Sequence, residues 1–416
     1  MNIFKFGGAS VKDADSVRNV LKVLEVTQGG EKLIVVSAMG KMTNALEILV
    51  REYLDQKPYQ GIMQEIKEFH QEILVGLFLN KTASVFVRIK ELFDELQNFL
   101  SHNKSNKYDY VYDQIICYGE LISTTIVSEF LNLSGIENQW IDARNFIKTD
   151  STYRDADVNW ELTQEAIAGG IKNSSLKVTQ GFIGSDPNNF TTTLGREGSD
   201  YSAAIFAYCL NAESVTIWKD VEGVLNGDPR VFKKTQLLNQ VSYEEAIELA
   251  FYGASVIHPK TLQPLQRKEI PLFVRSFLNP QNNGTAVSRG KRLIPQVPCF
   301  IVKMNQVLIS LSTLDFSFMV EENISHIFRL FHEYQIKVNL IQNSAISFSV
   351  CVDDKFNTLE KLIIHLKARY KVEYATGVSL YTIRHFDQES INDLSAGKEI
   401  LLKQVARETI QLIAKN

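Results

Sequence analysis

The stretch Asn2-Ile3-Phe4-Lys5-Phe6-Gly7-Gly8-Ala9-Ser10 governs how the remaining sequence is understood. Asn2 to Phe6 forms a short buried strand, the glycines turn the chain, and the spacing of Val17, Val20, Leu21 and Leu24 continues as an amphipathic helix. Strand, glycine turn and helix in that order make a phosphate cradle. The glycines let backbone N–H groups approach phosphate oxygens, while Lys5 supplies a mobile positive charge where negative charge builds during transfer. No Gly-Lys-Ser/Thr follows at Walker A spacing, and no GxGxxG dinucleotide fingerprint is present. On its own a Gly-Gly pair more often marks a tight turn beside a solvated lysine, so a second signal is needed.

That signal lies at Thr192-Thr193-Leu194-Gly195-Arg196-Glu197-Gly198-Ser199-Asp200. Gly195 and Gly198 are expected in backbone angles closed to other residues, and Ser199 or Asp200 is expected to cap a helix beginning Tyr201-Ser202-Ala203-Ala204. The free N–H groups and positive dipole end of such a helix attract an anion. Gly-Ser-Asp is also ordinary helix-start punctuation, and from the loop alone that alternative stays open.

Length and charge bound the class of protein. A chain of 416 residues suggests two or three domains, and a formal net charge of −4 leaves no electrostatic footprint for nucleic acid. Met1-Asn2-Ile3-Phe4-Lys5 lacks a signal-peptide layout, and no apolar run approaches the roughly 20 residues that span a bilayer, so a cytoplasmic protein without membrane contact is expected. Cys117, Cys209, Cys299 and Cys351 lie far apart among apolar neighbours, which favours buried, reduced thiols over disulfides or metal ligands.

The first 290 residues alternate strand-like and helix-like segments, as a three-layer α/β fold requires. Leu33 to Ser37, Asn138 to Ile141, Leu176 to Ile183, Val215 to Trp218 and Leu272 to Arg275 are short apolar runs suited to a sheet covered on both faces. Thr43 to Leu131 reads as a packed helical insertion rather than a chemical site, with Val85, Ile89, Leu92, Leu96 and Leu100 at helical spacing. Asn279-Pro280-Gln281-Asn282-Asn283-Gly284 is taken as the domain linker, separating residues 1–290 from 298–416. Beyond it the order is βαββα: strands at 307–311, 338–341 and 346–352, helices at 324–334 and 359–370. A further strand at Val378 to Ile383 precedes one expected helix from about Ala396 to Ala414.

Several blocks occur in the order seen in aspartokinases, and the chain resembles that family over nearly its whole length. They are Lys5 to Val11, Val36-Ser37-Ala38, Thr43, Gly119-Glu120, Thr179 to Gly184, the 193–202 loop, Asp220 to Val224, Asp228-Pro229-Arg230 and Tyr252 to Pro259. The resemblance implies an amino-acid kinase fold, a mostly parallel sheet between helical layers, followed by a C-terminal ACT-like α+β region that senses ligands or dimerises. It implies transfer of the ATP γ-phosphoryl group to the side-chain carboxylate of L-aspartate, with Mg²⁺ on the ATP phosphates. Such a reaction needs positioning and charge neutralisation more than covalent help. Lys5 with the N–H groups of Gly7 and Gly8 supplies the neutralisation, and Asp200 orients Lys5 or a metal-bound water. Arg196 captures the α-carboxylate by its guanidinium fork and Glu120 pairs with the α-ammonium, while Ser37, Thr43, Gly198 and Ser199 complete the substrate side. Lys219, Asp220, Arg230 and Ser255 match the segments that contact ATP in the family. Against these roles stand plainer ones: Glu120 facing solvent, Asp200 only capping a helix, and Asp228-Pro229-Arg230 only turning the chain.

Four positions depart from the family pattern. Ala9 stands for the usual threonine, Glu197 for a glycine, Ser255 for a lysine, and Leu225 for a residue that is often aromatic. The second ACT module looks truncated. Relatives place feedback effectors such as lysine or threonine here, with a carboxylate receiving the ligand ammonium; the matching residue is Asn339, which implies weak or absent lysine inhibition. A homodimer through the ACT-like region is implied, and no homoserine dehydrogenase segment is expected after residue 416. Competing readings are a glutamate, acetylglutamate or nucleoside-monophosphate kinase on the same fold, or a catalytically inactive amino-acid sensor.

Overall fold

In the computed structural model, which describes every residue except 28, 81–83, 172–175, 255–256, 291, 316 and 416, Asn2–Phe6 is a strand (β1) and Ala14–Val26 a helix (α1). Between them Gly8–Val11 makes a single 3₁₀ turn. β2 (Lys32–Val36) is followed by four helices, α2 (Met42–Leu54), α3 (Gln60–Leu77), α4 (Ser84–His102) and α5 (Tyr108–Leu133). Then come β3 (Asn138–Ile141), α6 (Trp160–Gly170), β4 (Leu176–Gln180), β5 (Ile183–Ser185), β6 (Thr191–Thr193), α7 (Gly198–Leu210) and β7 (Ser214–Lys219). β8 (Gln240–Ser242), α8 (Tyr243–Tyr252), α9 (Pro259–Lys268), β9 (Leu272–Ser276) and β10 (Thr285–Ser288) complete the series.

Among the described residues the first sheet has the order β3-β4-β2-β1-β7-β9-β10-β8 and is parallel apart from the β9–β10 pair. β1 sits at its middle, with Phe6 in register with Val36 on one side and Trp218 on the other. Side chains alternate across a strand, so Phe4 and Phe6 point to one face and Lys5 to the other. The first face packs Phe4, Phe6, Ile34, Val36, Val178 and Trp218 into a core with α1, α2 and α5, where Phe6 stacks on Trp218 at 6.3 Å between ring centroids. Over the second face α7 crosses β1, β2 and β7, with α6 and α9 against it. Helices on both faces explain why these strands are apolar throughout rather than alternating.

The structure redraws several expected elements. Leu176 to Ile183 is two strands, because Phe182 adopts φ 72 and breaks the run. The 279–284 stretch is a turn within the sheet, joining β9 to its antiparallel neighbour β10, and the first compact unit runs on to Ile294. That unit comprises Met1–Val224, Leu237–Ile247 and Val256–Ile294; the second takes Leu225–Gln236, Glu248–Ser255 and Pro295–Asn416.

The second unit holds β11 (Cys299–Thr313), α10 (Glu321–Glu333), β12 (Lys337–Asn343), β13 (Ser347–Asp353), α11 (Leu359–Lys367) and β14 (Tyr370–Arg384). α12 (Gln388–Ser395), β15 (Glu399–Ala406) and β16 (Thr409–Lys415) follow. Its antiparallel sheet runs β12-β13-β11-β14-β16-β15, with α10 and α11 packed through Ile327, Phe331, Leu362 and Leu366 onto Ile309, Leu311 and Val350. The helix expected at 396–414 is instead the β15–β16 hairpin. Ile413 packs on one side of β16 and Ile410, Leu412 and Ala414 on the other, and a two-sided apolar strand reads like a buried helix when only periodicity is available. The early half of β11, Cys299 to Lys303, pairs with the late half of β14, so the sheet beyond the first βαββα run borrows a strand from before it. No helix of the described residues is long and apolar enough to cross a membrane.

Candidate active site

Because β1, β2 and β7 are parallel, their C-terminal ends come to one edge of the sheet, where open α/β sheets bind ligands. Lys5 is 8 % exposed, and its Nζ lies 2.6 Å from Asp200 Oδ1. Lys219 Nζ, from the end of β7, lies 3.6 Å from Asp200 Oδ2. Burial alone would raise the Asp200 carboxyl, but Lys5 and Lys219 outweigh it and hold the group below its ordinary value. A buried aspartate thus draws two lysine side chains to the same spot. Its helix-start role is accordingly secondary: α7 begins at Gly198, not Tyr201, and Glu197 caps it with no side-chain hydrogen bond from Ser199 or Asp200.

The glycines work differently from expectation in two places. Gly195 does take a left-handed φ of 75, but the other left-handed residue of the loop is Glu197 at φ 54, which is why glycine would serve well there. Gly198 is inside the helix, and a side chain on it would come within 2.5 Å of Phe182. In the first loop a Cβ on Gly8 would meet the Gly40 carbonyl at 2.6 Å and that of Ala38 at 2.8 Å, so the β1 turn is pressed against the turn after β2. Gly7 lies beside the Lys5 ammonium, at 3.4 Å from a built Cβ. In the first turn of α7 the N–H groups of Gly198, Asp200 and Tyr201 bond to Gly195 and Glu197 carbonyls, and among the described residues that of Ser199 makes no hydrogen bond.

Glu120 does not face solvent. It is 2 % exposed within α5, and its Oε1 accepts from the Ala38 N–H at 3.3 Å. Gly119 permits this approach, since a Cβ there would sit 3.0 Å from Ala38 Cβ and 3.1 Å from Leu46 Cδ1. Glu120 Oε2 is buried with no partner, and burial pushes the carboxyl up to about 8 although the Ala38 N–H and Lys5 pull it down. A buried carboxyl oxygen without a partner among the described residues can take a donor from a ligand. Ser37 and Thr43 are half-buried beside Ala38 and at the start of α2, and neither hydroxyl bonds to another described residue.

Arg196 is exposed and makes no ion pair among the described residues, as befits a guanidinium waiting for a carboxylate. Asp220 is exposed next to Lys219. Arg230 belongs to the second unit, where it forks onto its neighbour Asp228 at 2.7 Å, so the turn reading of Asp228-Pro229-Arg230 describes its present geometry. Ser255 lies outside the described residues. Two residues escaped the sequence reading, Asp113 and Thr193. Asp113 accepts from the Thr193 N–H and Oγ1, both at 2.8 Å. The available signal was spacing: Asp113 precedes Glu120 by two helical turns and shares its face of α5.

The donor set bears on a metal. No group of three or more His, Cys, Asp or Glu able to hold an ion occurs among the described residues, and Asp200 is already shared by two lysines. The residues fit Mg²⁺ carried in on phosphate oxygens rather than a protein cage.

Paired charges, glycine turns and a helix start gather at the C-terminal edge of the parallel sheet of an α/β protein. The amino acid kinase family model matches residues 1–276. The lysine-sensitive aspartokinase 3 of Escherichia coli K12 is 31% identical over 415 residues, covering 96% of this chain and 89% of that protein. The chloroplastic bifunctional aspartokinase/homoserine dehydrogenase 1 of Arabidopsis thaliana is 28% identical over 90% of this chain, which spans 42% of that longer protein. The crystal structure of E. coli aspartokinase III in complex with aspartate and ADP superposes with a TM-score of 0.81 at 28% identity, covering 100% of this chain and 96% of the other. The chain belongs to the amino acid kinase family, among its aspartokinases.

Proposed function

We propose that the protein transfers the γ-phosphoryl group of ATP to the β-carboxylate of L-aspartate, giving 4-phospho-L-aspartate and ADP in an amino-acid biosynthetic route to lysine, threonine and methionine. The observation that carries the reading is the pairing of Lys5 and Lys219 on buried Asp200, with the half-satisfied Glu120 carboxylate close enough to feel Lys5. The two ammonium groups neutralise phosphoryl oxygens, and Asp200 fixes where they point. Glu120 Oε2 receives the substrate ammonium, Arg196 its α-carboxylate, and the free hydroxyls of Ser37 and Thr43 steady the attacking carboxylate. Ser199 N–H and the Gly7 and Gly8 backbone complete the cradle, with Lys219 and Asp220 on the nucleotide side. Bound Mg²⁺ would supply further charge neutralisation on the phosphates. An acetylated amine leaves Glu120 without a cation, which argues for a free amino acid over N-acetylglutamate.

The remaining assignments rest on the same reading. β12 and β15 are the edge strands of the second sheet, and edge strands suit pairing with a second copy into a homodimer. The four cysteines are buried and, among the described residues, none is in a disulfide, in keeping with a reducing, cytoplasmic setting. An E. coli relative is lysine-sensitive, but here Asn339 Oδ1 already accepts from Lys303 Nζ at 2.8 Å, so lysine inhibition is weak or absent. The test is ADP release with Mg-ATP and L-aspartate, L-glutamate, N-acetyl-L-glutamate or UMP, with hydroxylamine to trap an acyl phosphate. Aspartate-dependent hydroxamate is expected. Turnover with another acceptor moves the function within the fold, and no turnover with any favours the sensor.

A further inference from the structure

Asp113 belongs to α5 and is fully buried, yet none of its three hydrogen bonds comes from a charged group. Its Oδ2 accepts from the Thr193 N–H at 2.8 Å and the Arg154 N–H at 3.0 Å, and its Oδ1 accepts from the Thr193 hydroxyl at 2.8 Å. The two tethered segments also join each other, since the Ala156 N–H donates to the Thr193 carbonyl at 2.9 Å. Thr193 is the last residue of β6 before Leu194-Gly195-Arg196, and Gly195 closes directly on Asp155. One buried carboxylate thus pins the start of the loop that presents Arg196 to the neighbouring 154–156 segment.

We propose that Asp113 is a positioning residue for the amino-acid substrate: as a carboxylate it clamps the 193–197 loop to the 154–156 segment and so sets the place where Arg196 meets the substrate α-carboxylate. The inference rests on the functional reading above. Only the ionised form accepts from all three donors: a proton on Oδ2 would oppose two N–H groups, and one on Oδ1 would reverse the Thr193 hydroxyl bond and remove the charge that strengthens the two N–H bonds. Burial pushes the group up to about 6, against the pull of the Thr193 and Arg154 donors and the Arg154 charge. The other titratable groups that feel it are Tyr112 of α5 and Tyr153, both held neutral above their ordinary values, and Arg154 is itself paired with Asp109. Acidification therefore weakens the clamp on the loop.

The test compares wild type with Asp113→Asn, Thr193→Val and Arg196→Ala. Asp113→Asn is expected to raise KM for aspartate about tenfold with kcat and KM for ATP within twofold, the loss of one charge-assisted clamp. Thr193→Val, which keeps the N–H but not the hydroxyl, is expected to raise it by roughly threefold. Between pH 7 and 5 wild type should lose a further factor of about ten in kcat/KM that Asp113→Asn does not show. The protection factors of the 193–198 backbone amides, exchange rates corrected for the intrinsic pH dependence, should fall in Asp113→Asn and, in wild type, on going below pH 6. Unchanged exchange and an unchanged KM overturn the inference. If Arg196→Ala raises KM and Asp113→Asn does not, the clamp alone fails; if Arg196→Ala is silent or no aspartate is phosphorylated, the functional reading fails, and hydrogen exchange still decides whether Asp113 holds the loop.

Discussion

Two lysines, one in each sheet, are withdrawn from water and meet different partners. Lys5 of β1 faces the Asp200 carboxylate at 2.6 Å, and Lys303 of β11 faces the Asn339 amide oxygen at 2.8 Å, with that amide in turn donating to Gln306 at 2.7 Å. For Lys303, burial first and then the nearby Lys337 push the ammonium below its ordinary value. An amide solvates an ammonium without returning its charge, so the free-energy cost of burial remains. Asp200 cancels that cost for Lys5 and, in the process, is itself held ionised. The difference teaches that a buried lysine meant to act on an anion needs a carboxylate behind it, whereas one that joins strands can rest on neutral oxygen.

The largest expected effect comes from breaking the charged pair. Lys5→Met should lower kcat by about 100- to 1000-fold with little change in KM for aspartate, measured by single-turnover phosphotransfer. The same variant should be less stable in acid. A carboxyl held below its ordinary value stabilises the fold above that value and loses the contribution as pH falls through the folded one, and without Lys5 the loss begins at higher pH. A circular-dichroism titration whose acid midpoint does not move upward would contradict the account of Asp200.

Arg196 sharpens the comparison from the other side, as a cation with no protein partner among the described residues. Arg196→Ala should raise KM for aspartate by about 10- to 100-fold, the worth of a charge-assisted bond, while leaving kcat near wild type. Equal losses in kcat and kcat/KM would instead make Arg196 a transition-state group.

Glu120 supplies a milder, pH-dependent effect, because its carboxylate lacks the nearby pair that Asp200 enjoys. With the group raised to about 8, most molecules carry a proton there at neutral pH, and that proton must leave before the substrate ammonium pairs. Aspartate affinity should improve by about tenfold per pH unit between pH 6.5 and 7.5, with proton release visible as a buffer-dependent binding enthalpy. Binding that is flat over this range would place the ammonium elsewhere.

The smallest effect belongs to the second sheet. Lys303→Met removes the donor that fills Asn339 Oδ1, and should destabilise the protein by about 1 kcal/mol in chemical denaturation without altering kcat. Wild type should show no half-inhibition by lysine at low-micromolar concentration. If Lys303→Met gains lysine sensitivity, the internal ammonium is what keeps the effector out.

Local pattern was enough for much of this molecule. Strand β1, its glycine turn and the Gly195 and Arg196 loop were legible, because an apolar run and a Gly-Gly break are features of the chain itself; the link between Lys5 and Asp200 came only from the family resemblance. Other decisions belong to contacts between distant segments. Whether Ile410 to Ala414 extends or coils depends on strand β14 lying beside it, and the reason for glycine at 198 is Phe182, brought in from another strand. Asp113 became visible only when β6 folded back onto α5 eighty residues away, and Glu120 acquired its raised proton affinity from the packing that buries it. Sequence fixes short-range geometry and the list of available charges; which charges are neutralised, and which are left waiting for a ligand, is set by burial and partner, and those exist only once the chain has closed on itself.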